Sequence, residues 1–462
     1  MITSMRKLTF GSAGGMDVLH GSLADKIILF TIPLALSSIL QQLFNSADLA
    51  VVGRFDSSSA MAAVGSNAAL INLLVSLFTG LATGVNVVVA SCIGRDEKER
   101  ISGAVHTSIT LSIVSGFVLL GIGQVIAPAV LRLVGTPADV MRLAEVYLRI
   151  YFLGMPFFMI YNFGSAILRA KGDSARPFYA LVASGLLNII LNLLLVIVFH
   201  LGVAGVAIAT DISNGLSAGV VLYILLREEE PFRFRWSGMR IEKSHLRNII
   251  DIGAPAGLQG MVFSLSNVVI QSGINSFGAA CIAGNAAAQN FEYMAYFVVN
   301  GFAQTAVTFT SQNYAAGNVD RCRRIYRDTQ LLTMAGTAAV SLIFLIFHYP
   351  LIRIFATEED VISYAMVRMF FVMALEIMTS TYEISGGCLR GMAHSLAPAL
   401  ETMLGCCVFR MFWVSFVFSR HHTIVTLMSV YPITWVITAC MVIPTYFIIR
   451  RREFARLERK PD

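Results

Sequence analysis

One aspartate, Asp48, stands inside the otherwise apolar stretch QQLFNSADLAVVG at residues 41–53. A carboxylate at membrane depth costs about 2.5–3.5 kcal/mol to insert, so it normally faces a cavity or a partner. The competing reading is a helix-end acid near the outer interface, because Gly53 and Arg54 follow closely. Asn188 and Asn192 lie one helical turn apart on a later apolar stretch and so share a face. Thr210, with Asp211 beside it, lies in the next stretch. One carboxylate, two amide oxygens and a hydroxyl are suitable hard-oxygen ligands for a small cation such as sodium. The same four groups could equally hold a carboxyl that takes up and releases a proton. Against both stands the plain alternative that Asn and Thr bond helix to helix, as they commonly do in membrane bundles.

The second half of the chain carries its acids elsewhere. Glu376 and Glu383 are seven residues apart, which places them on one face of a continuous helix. Glu292 lies in the eighth apolar stretch and Glu401 in the eleventh, with Arg149, Arg368 and Arg410 as counterions at depth. Glu292, Glu383 and Glu376 are the candidate acids of a substrate cavity, chosen from position. A structural salt bridge such as Glu401–Arg410 is the bland alternative. No phosphate-binding loop, no H-E-x-x-H and no complete G-x-G-x-x-G occurs; Gly121-Ile122-Gly123 stops short. The eight histidines fall mainly at segment ends and loops, which argues against an intramembrane enzyme. The expectation is therefore no enzyme, no catalytic residue, no cofactor and no resident metal beyond a coupling ion. Uphill work would draw on an ion gradient.

The elements that must hold these residues are membrane spans. Of 462 residues 56% are hydrophobic and 13% charged, against about 25% charged in a soluble chain. Long apolar runs separate clusters of charge, and about 20 residues suffice to cross the hydrocarbon. The pattern predicts twelve spans, near 26–52, 60–93, 102–133, 143–168, 177–199, 202–226, 248–276, 280–312, 325–355, 362–388, 396–419 and 423–449. The chain also contains itself twice. Leu168-Arg169, Ser174 and Pro177 return as Leu389-Arg390, Ser395 and Pro398, 221 residues on; Pro33, Asn45 and Phe55 return as Pro255, Asn267 and Phe277, 222 on; Gly80 returns as Gly301. An even number of spans per copy gives both copies one orientation, a parallel repeat. The fold class is thus an all-α polytopic membrane protein of two six-helix bundles. The expected divisions are an N-terminal lobe at 1–226, a linker at 227–247, a C-terminal lobe at 248–450 and a basic tail at 451–462. The position equivalent to Asp48 is Ile270, so the copies differ in charge.

Loop charge predicts the orientation. With both termini inside, inner segments hold 26 Lys and Arg, among them Arg6, Lys7 and Lys460, against five outside (Arg54, Arg132, Arg142, Arg353, Arg420). Both termini are expected in the cytoplasm, and the net charge of +6 reports topology, with no nucleic-acid partner. No cleavable signal is visible at the start. The seven cysteines lack metal-ligand spacing and read as small apolar fillers. The linker, with its Phe, Arg and Trp, reads either as a segment on the inner membrane surface or as a solvated tether. In LRAKGDSARP and LRGMAHSLAP a helix ends, Gly permits the turn and Pro opens the next helix.

FNSADLAVVGRF, LRAKGDSARP, Asn188, GVAGVAIAT, SQNYAAGN and CLRG, in this order along residues 23–450, resemble the multidrug and toxic compound extrusion (MATE) transporters of the larger flippase superfamily. The resemblance implies a cell-membrane, ion-coupled antiporter that exports amphipathic, often cationic, small molecules by alternating access, with the lipid bilayer and such substrates as its partners, and a monomer. It implies an ion pocket of Asp48, Asn188, a carboxylate one turn further along, and Thr210. Here that carboxylate position is Asn192, which removes one negative charge; Asp211 is the available compensation, though it points about 100° away from Thr210 on a helix. The alternatives are a lipid-linked saccharide flippase of the same superfamily, which calls for a strongly cationic cavity, and, more remotely, an intramembrane enzyme.

Overall fold

The computed structural model describes residues 15–133, 136–354 and 358–459. Arg6, Lys7, Lys460 and the end of the expected 451–462 tail lie outside them. Every regular element among the described residues is helical. The first series is α1 (Ala24–Phe55), α2 (Ser58–Gly94), α3 (Lys98–Leu133), α4 (Ala138–Leu153), α5 (Met155–Ala170), α6 (Ala175–Leu193) and α7 (Gly202–Arg227). The second is α8 (Lys243–Asn275), α9 (Ala279–Ala315), α10 (Val319–Ile346), α11 (His348–Arg353), α12 (Glu359–Phe371), α13 (Thr379–Gly391), α14 (Leu396–Thr402), α15 (Phe409–Phe412), α16 (Ile424–Met428) and α17 (Val430–Glu458).

Ten helical segments are long and apolar enough to cross a membrane, and α4 with α5, bent by 47° at Gly154, makes an eleventh. The twelfth is α9, 37 residues long; its buried Asn285, Glu292, Thr305 and Thr308 lower its hydropathy. Twelve spans in two series of six result, a repeated all-α membrane bundle.

Irregular turns interrupt three spans. The fifth runs from α6 into a π-helical turn at Leu194–Val198, and the eleventh has two such turns, Met403–Val408 and Trp413–Phe418, on either side of α15. A π-turn accommodates one extra residue in a helix. The repeat offset is 221 at Pro177/Pro398 and 222 beyond the turn at Met403–Val408. The tenth span breaks between α12 and α13 through a 3₁₀ turn at Met373–Met378. That corrects the expected common face of Glu376 and Glu383, since seven residues return to one face only along an unbroken α-helix.

The chain forms two compact units. One comprises Leu36–Gly257 with the segment ending at Val18; the other comprises Leu19–Ala35 and the chain from Leu258 onward. Their edges thus fall inside α1 and α8. In the first unit the early part of α8 packs backbone to backbone on α2. A methyl group on Gly80 would stand 2.2 Å from the Gly257 nitrogen, and one on Gly84 2.3 Å from the Ile249 carbonyl oxygen. Gly80/Gly84 and Gly253/Gly257 are two facing pairs of glycines four apart, the spacing that lets membrane helices approach closely. In the second unit, the early part of α1 packs on α9 through a Thr31–Thr305 hydroxyl bond of 2.8 Å and an edge contact of Phe30 with Phe309.

The two Leu-Arg loops solve the same turn differently. In the first, Gly172 takes the left-handed φ of +95° and the Asp173 carboxylate accepts the N–H groups of Ala175 and Arg176 at 3.1 Å, capping α6. In the second, Gly391 ends α13 and Ala393 takes the left-handed φ of +66°. The expected glycine turn holds in the first copy alone.

The linker is docked. Its Phe234 is fully buried, the Arg235 N–H donates to Nε2 of the buried His106, and the Glu242 N–H donates to Thr107 Oγ1. Glu228 pairs with Lys171 and Arg176 of the first Leu-Arg loop. These contacts correct the solvated tether. All seven cysteines are free and six are buried.

Candidate functional site

Asp48 is 6% exposed, on the wall of a cavity of about 230 Å³ within the first unit. Three helices bring polar residues to it at helical spacing. Gln41, Asn45 and Asp48 form one stripe of α1; Ser184 and Asn188 one of α6; Thr210, Ser213, Asn214 and Ser217 one of α7. Asn192 lies deeper, fully buried one turn beyond Asn188.

The four expected residues close a ring. Asn192 Nδ2 donates to Asp48 Oδ1 (2.5 Å) and to Asn188 Oδ1 (3.1 Å); Asn188 Nδ2 donates to Thr210 Oγ1 (3.4 Å). Thr210 Oγ1 stands 3.3 Å from Asp48 Oδ2 and 3.0 Å from the Val206 carbonyl, so its single proton serves one or the other. The ring ties α1, α6 and α7 through one carboxylate, and Asn192 Oδ1 is its one oxygen without a partner among the described residues. Asp211 is not part of it. Its carboxylate lies against Gly154 at the bend between α4 and α5, where a methyl group on Gly154 would meet Asp211 Oδ1 at 2.0 Å. The compensation expected of Asp211 is therefore not seen.

The second unit holds a cavity of about 60 Å³ lined by Glu292, Glu376, Arg368 and Arg410 among aromatic rings. Glu292 is spent on Arg368, which donates from Nε (2.7 Å) and Nη2 (3.0 Å) to its two oxygens and from Nη1 to Asn285 (2.6 Å). Glu376 is 2% exposed; Thr379 Oγ1 stands 3.3 Å from its Oε1, and its Oε2 has no partner among the described residues. Glu383 is half-buried and does not line this cavity. Two further expectations are corrected. Glu401 accepts from Thr445 (2.5 Å), Arg410 donates to Thr434 and Asn267 (3.4 Å each), and the Glu401–Arg410 bridge does not form. Arg149, half exposed, pairs with Glu145 and is no counterion at depth.

The cavities are repeat copies of one another in sequence. Asn45 and Asn188 of the first match Asn267 and Arg410 of the second at 222 residues; Val75 and Tyr161 match Tyr296 and Tyr382 at 221. The duplication is decisive: the MatE family model matches residues 33–194 and again 255–416. The chain belongs to the MatE family.

It is a transporter and not an enzyme. Among relatives of this MatE chain is the probable multidrug resistance protein YoeA of Bacillus subtilis, 26% identical over 93% of this chain and 95% of that protein. Another is the probable multidrug resistance protein NorM of Thermotoga maritima, 24% identical over 82% of each chain. The multidrug export protein MepA of Staphylococcus aureus is 19% identical over 81% of this chain and 83% of its own. A solved MATE structure in complex with MaL6 aligns with a TM-score of 0.87 at 20% identity, over 96% of this chain and 99% of that one. An outward-facing multidrug resistance MATE transporter aligns at 0.86 and 21%, with the same coverage. These solved structures share its fold.

The sequence reading missed Gln41, Asn72, Ser213, Asn214 and Ser217 as lining residues and Tyr151 and Tyr161 as cavity walls. A signal existed: polar residues at i, i+3, i+4 and i+7 from Thr210 to Ser217 mark a wet stripe on an apolar helix.

Proposed function

We propose that this MatE chain is a plasma-membrane multidrug efflux antiporter, exporting amphipathic, often cationic molecules in exchange for sodium or protons by alternating access. The observation that carries the reading is the closed ring on Asp48, one buried carboxylate tying three helices at the wall of a cavity. Relatives named for multidrug resistance and export support the cargo.

The ring explains how an ion could act on packing. A proton arriving on Asp48 Oδ1 makes that oxygen a donor and a weaker acceptor, so its hydrogen bond from Asn192 weakens and must rearrange. A sodium ion needs oxygens, so the amides of Asn188 and Asn192 must turn their carbonyls toward it. Either ion breaks the ring and loosens α1 from α6 and α7. Coupling then requires only that ion and substrate favour different states. Both termini face the cytoplasm in this reading, on the strength of the loop charge. In the second unit, Glu376 is the substrate-facing acid, because Glu292 is already neutralised by Arg368.

The test is dye efflux from everted vesicles under separately imposed sodium and proton gradients. Export that follows one gradient supports the antiporter; export that follows neither contradicts it.

A further inference from the structure

The second-unit cavity has a charge pattern that its repeat copy lacks. Where the first cavity has Asn188, the second has Arg410; where the first has Ile71, the second has Glu292. Arg368 and Glu292 cancel in a two-pronged pair. What remains is one guanidinium, Arg410, and one carboxylate, Glu376, on the walls of the same void.

Both are buried, at 1% and 2% exposure, and neither has an ion-pair partner among the described residues. Arg410 makes two long hydrogen bonds to neutral groups and is flanked by the rings of Phe263 (5.3 Å) and Tyr431 (4.6 Å). Glu376 keeps Oε2 without a donor. Buried charges are normally paired, because leaving one uncompensated is costly. A guanidinium and an unsatisfied carboxyl oxygen on the walls of one void are complementary to a ligand that carries a carboxylate and, beside it, a cationic or N–H end. The void, about 60 Å³, is well below the roughly 300–1,000 Å³ of pockets that enclose drug-sized ligands. It therefore admits a small polar head group and not a whole drug-sized molecule.

We propose that this cavity seats the head of a zwitterionic ligand, its carboxylate on Arg410 and its cationic or N–H end toward Glu376. Planar guanidinium is the side chain best matched to a carboxylate, and the bonds to Thr434 and Asn267 use Nε and Nη1 of Arg410, which leaves Nη2 for that contact. Aromatic walls at Tyr293 and Trp435 suit the apolar body that follows the head. The site then selects for a free carboxylate on an otherwise cationic molecule. This deepens the export reading by naming a substrate class, and its test is a binding measurement that needs no gradient.

Nε-dansyl-lysine carries a carboxylate and an ammonium on one small head ahead of an apolar fluorescent body, and its methyl ester keeps the cation without the carboxylate. The two dyes are titrated by fluorescence anisotropy against the full-length protein in lipid nanodiscs, with empty nanodiscs subtracted. The acid is expected to bind at least tenfold more tightly than the ester. Arg410→Gln is expected to bring the two within twofold, and Arg410→Lys to keep most of the preference. The wild-type comparison stands even if the Gln variant does not fold. An ester that binds as tightly as the acid overturns this inference and leaves cationic export untouched. So does an Arg410→Gln protein, monodisperse on size exclusion, that keeps the wild-type preference. Binding of neither dye overturns it together with the export reading.

Discussion

The two cavities of this chain began as one sequence and now differ in kind. The first places a single carboxylate inside a ring of neutral amides and a hydroxyl, with every other lining group uncharged. The second has four buried ionisable side chains, two of them locked together and two left facing the void. A lone carboxylate with neutral donors can change partners at small cost when an ion arrives. A locked Arg–Glu pair cannot, because separating it leaves charge in a low-dielectric interior. Duplication therefore supplied one scaffold, and the divergence of a few lining positions left one copy with a single carboxylate among neutral donors and the other with a locked Arg–Glu pair.

The rigid pair should reveal itself most strongly in stability. Glu292→Gln leaves the Arg368 cation buried and unpaired, a loss expected at about 3–5 kcal/mol. Thermal unfolding in nanodiscs should show a large fall in melting temperature or no monodisperse protein. The double variant Glu292→Gln/Arg368→Met should recover most of it. A single variant as stable as wild type would place the two halves on the same footing.

Close helix contacts give the next effect. A methyl group on Gly257 would stand 2.3 Å from the Leu77 carbonyl oxygen, whereas one on Gly301 meets Ala35 at 3.1 Å. Gly257→Ala should cost about 1–3 kcal/mol through overpacking. Gly301→Ala should cost less than about 1 kcal/mol, its strain offset by better helix propensity. The Leu-Arg turns give a third effect. Ala393→Gly, which relieves a left-handed alanine, should stabilise the second unit by about 1 kcal/mol. Gly172→Ala should destabilise the first, since its methyl would also meet the Met16 carbonyl oxygen at 2.3 Å. Paired melting curves of the four variants rank these costs, and equal shifts at Gly257 and Gly301 would erase the difference drawn between the two contacts.

The helical bundle was readable because its cause is local: apolar runs of span length and a repeat offset require no knowledge of contacts. The ring of Asp48, Asn188, Asn192 and Thr210 was readable for a related reason. Each member is a polar residue stranded in apolar sequence, and the two amides are one turn apart. What stayed hidden depends on pairing across helices. Whether Arg410 meets Glu401 or Thr434, and whether Glu292 is free or held by Arg368, is decided by helix rotation. The 3₁₀ turn at Met373–Met378 and the π-turns around Arg410 change that rotation by amounts that no hydrophobic pattern shows. The edges of the compact units inside α1 and α8 were hidden too, because glycine spacing gained meaning only once Gly80 and Gly257 were seen to touch.

The most direct measurement of Asp48's role is dye transport in proteoliposomes, read in two modes on the same preparation. Wild type and Asp48→Asn are compared for export driven by an imposed sodium or proton gradient, and for gradient-free exchange of labelled for unlabelled dye. The aspartate-to-asparagine change keeps the size of the side chain and removes the ionisable oxygen. Gradient-driven export is expected to fall at least tenfold while exchange persists, because the ion loses its site and the substrate does not. Gradient-driven export at the wild-type rate in Asp48→Asn would contradict the assignment of ion coupling to the first cavity.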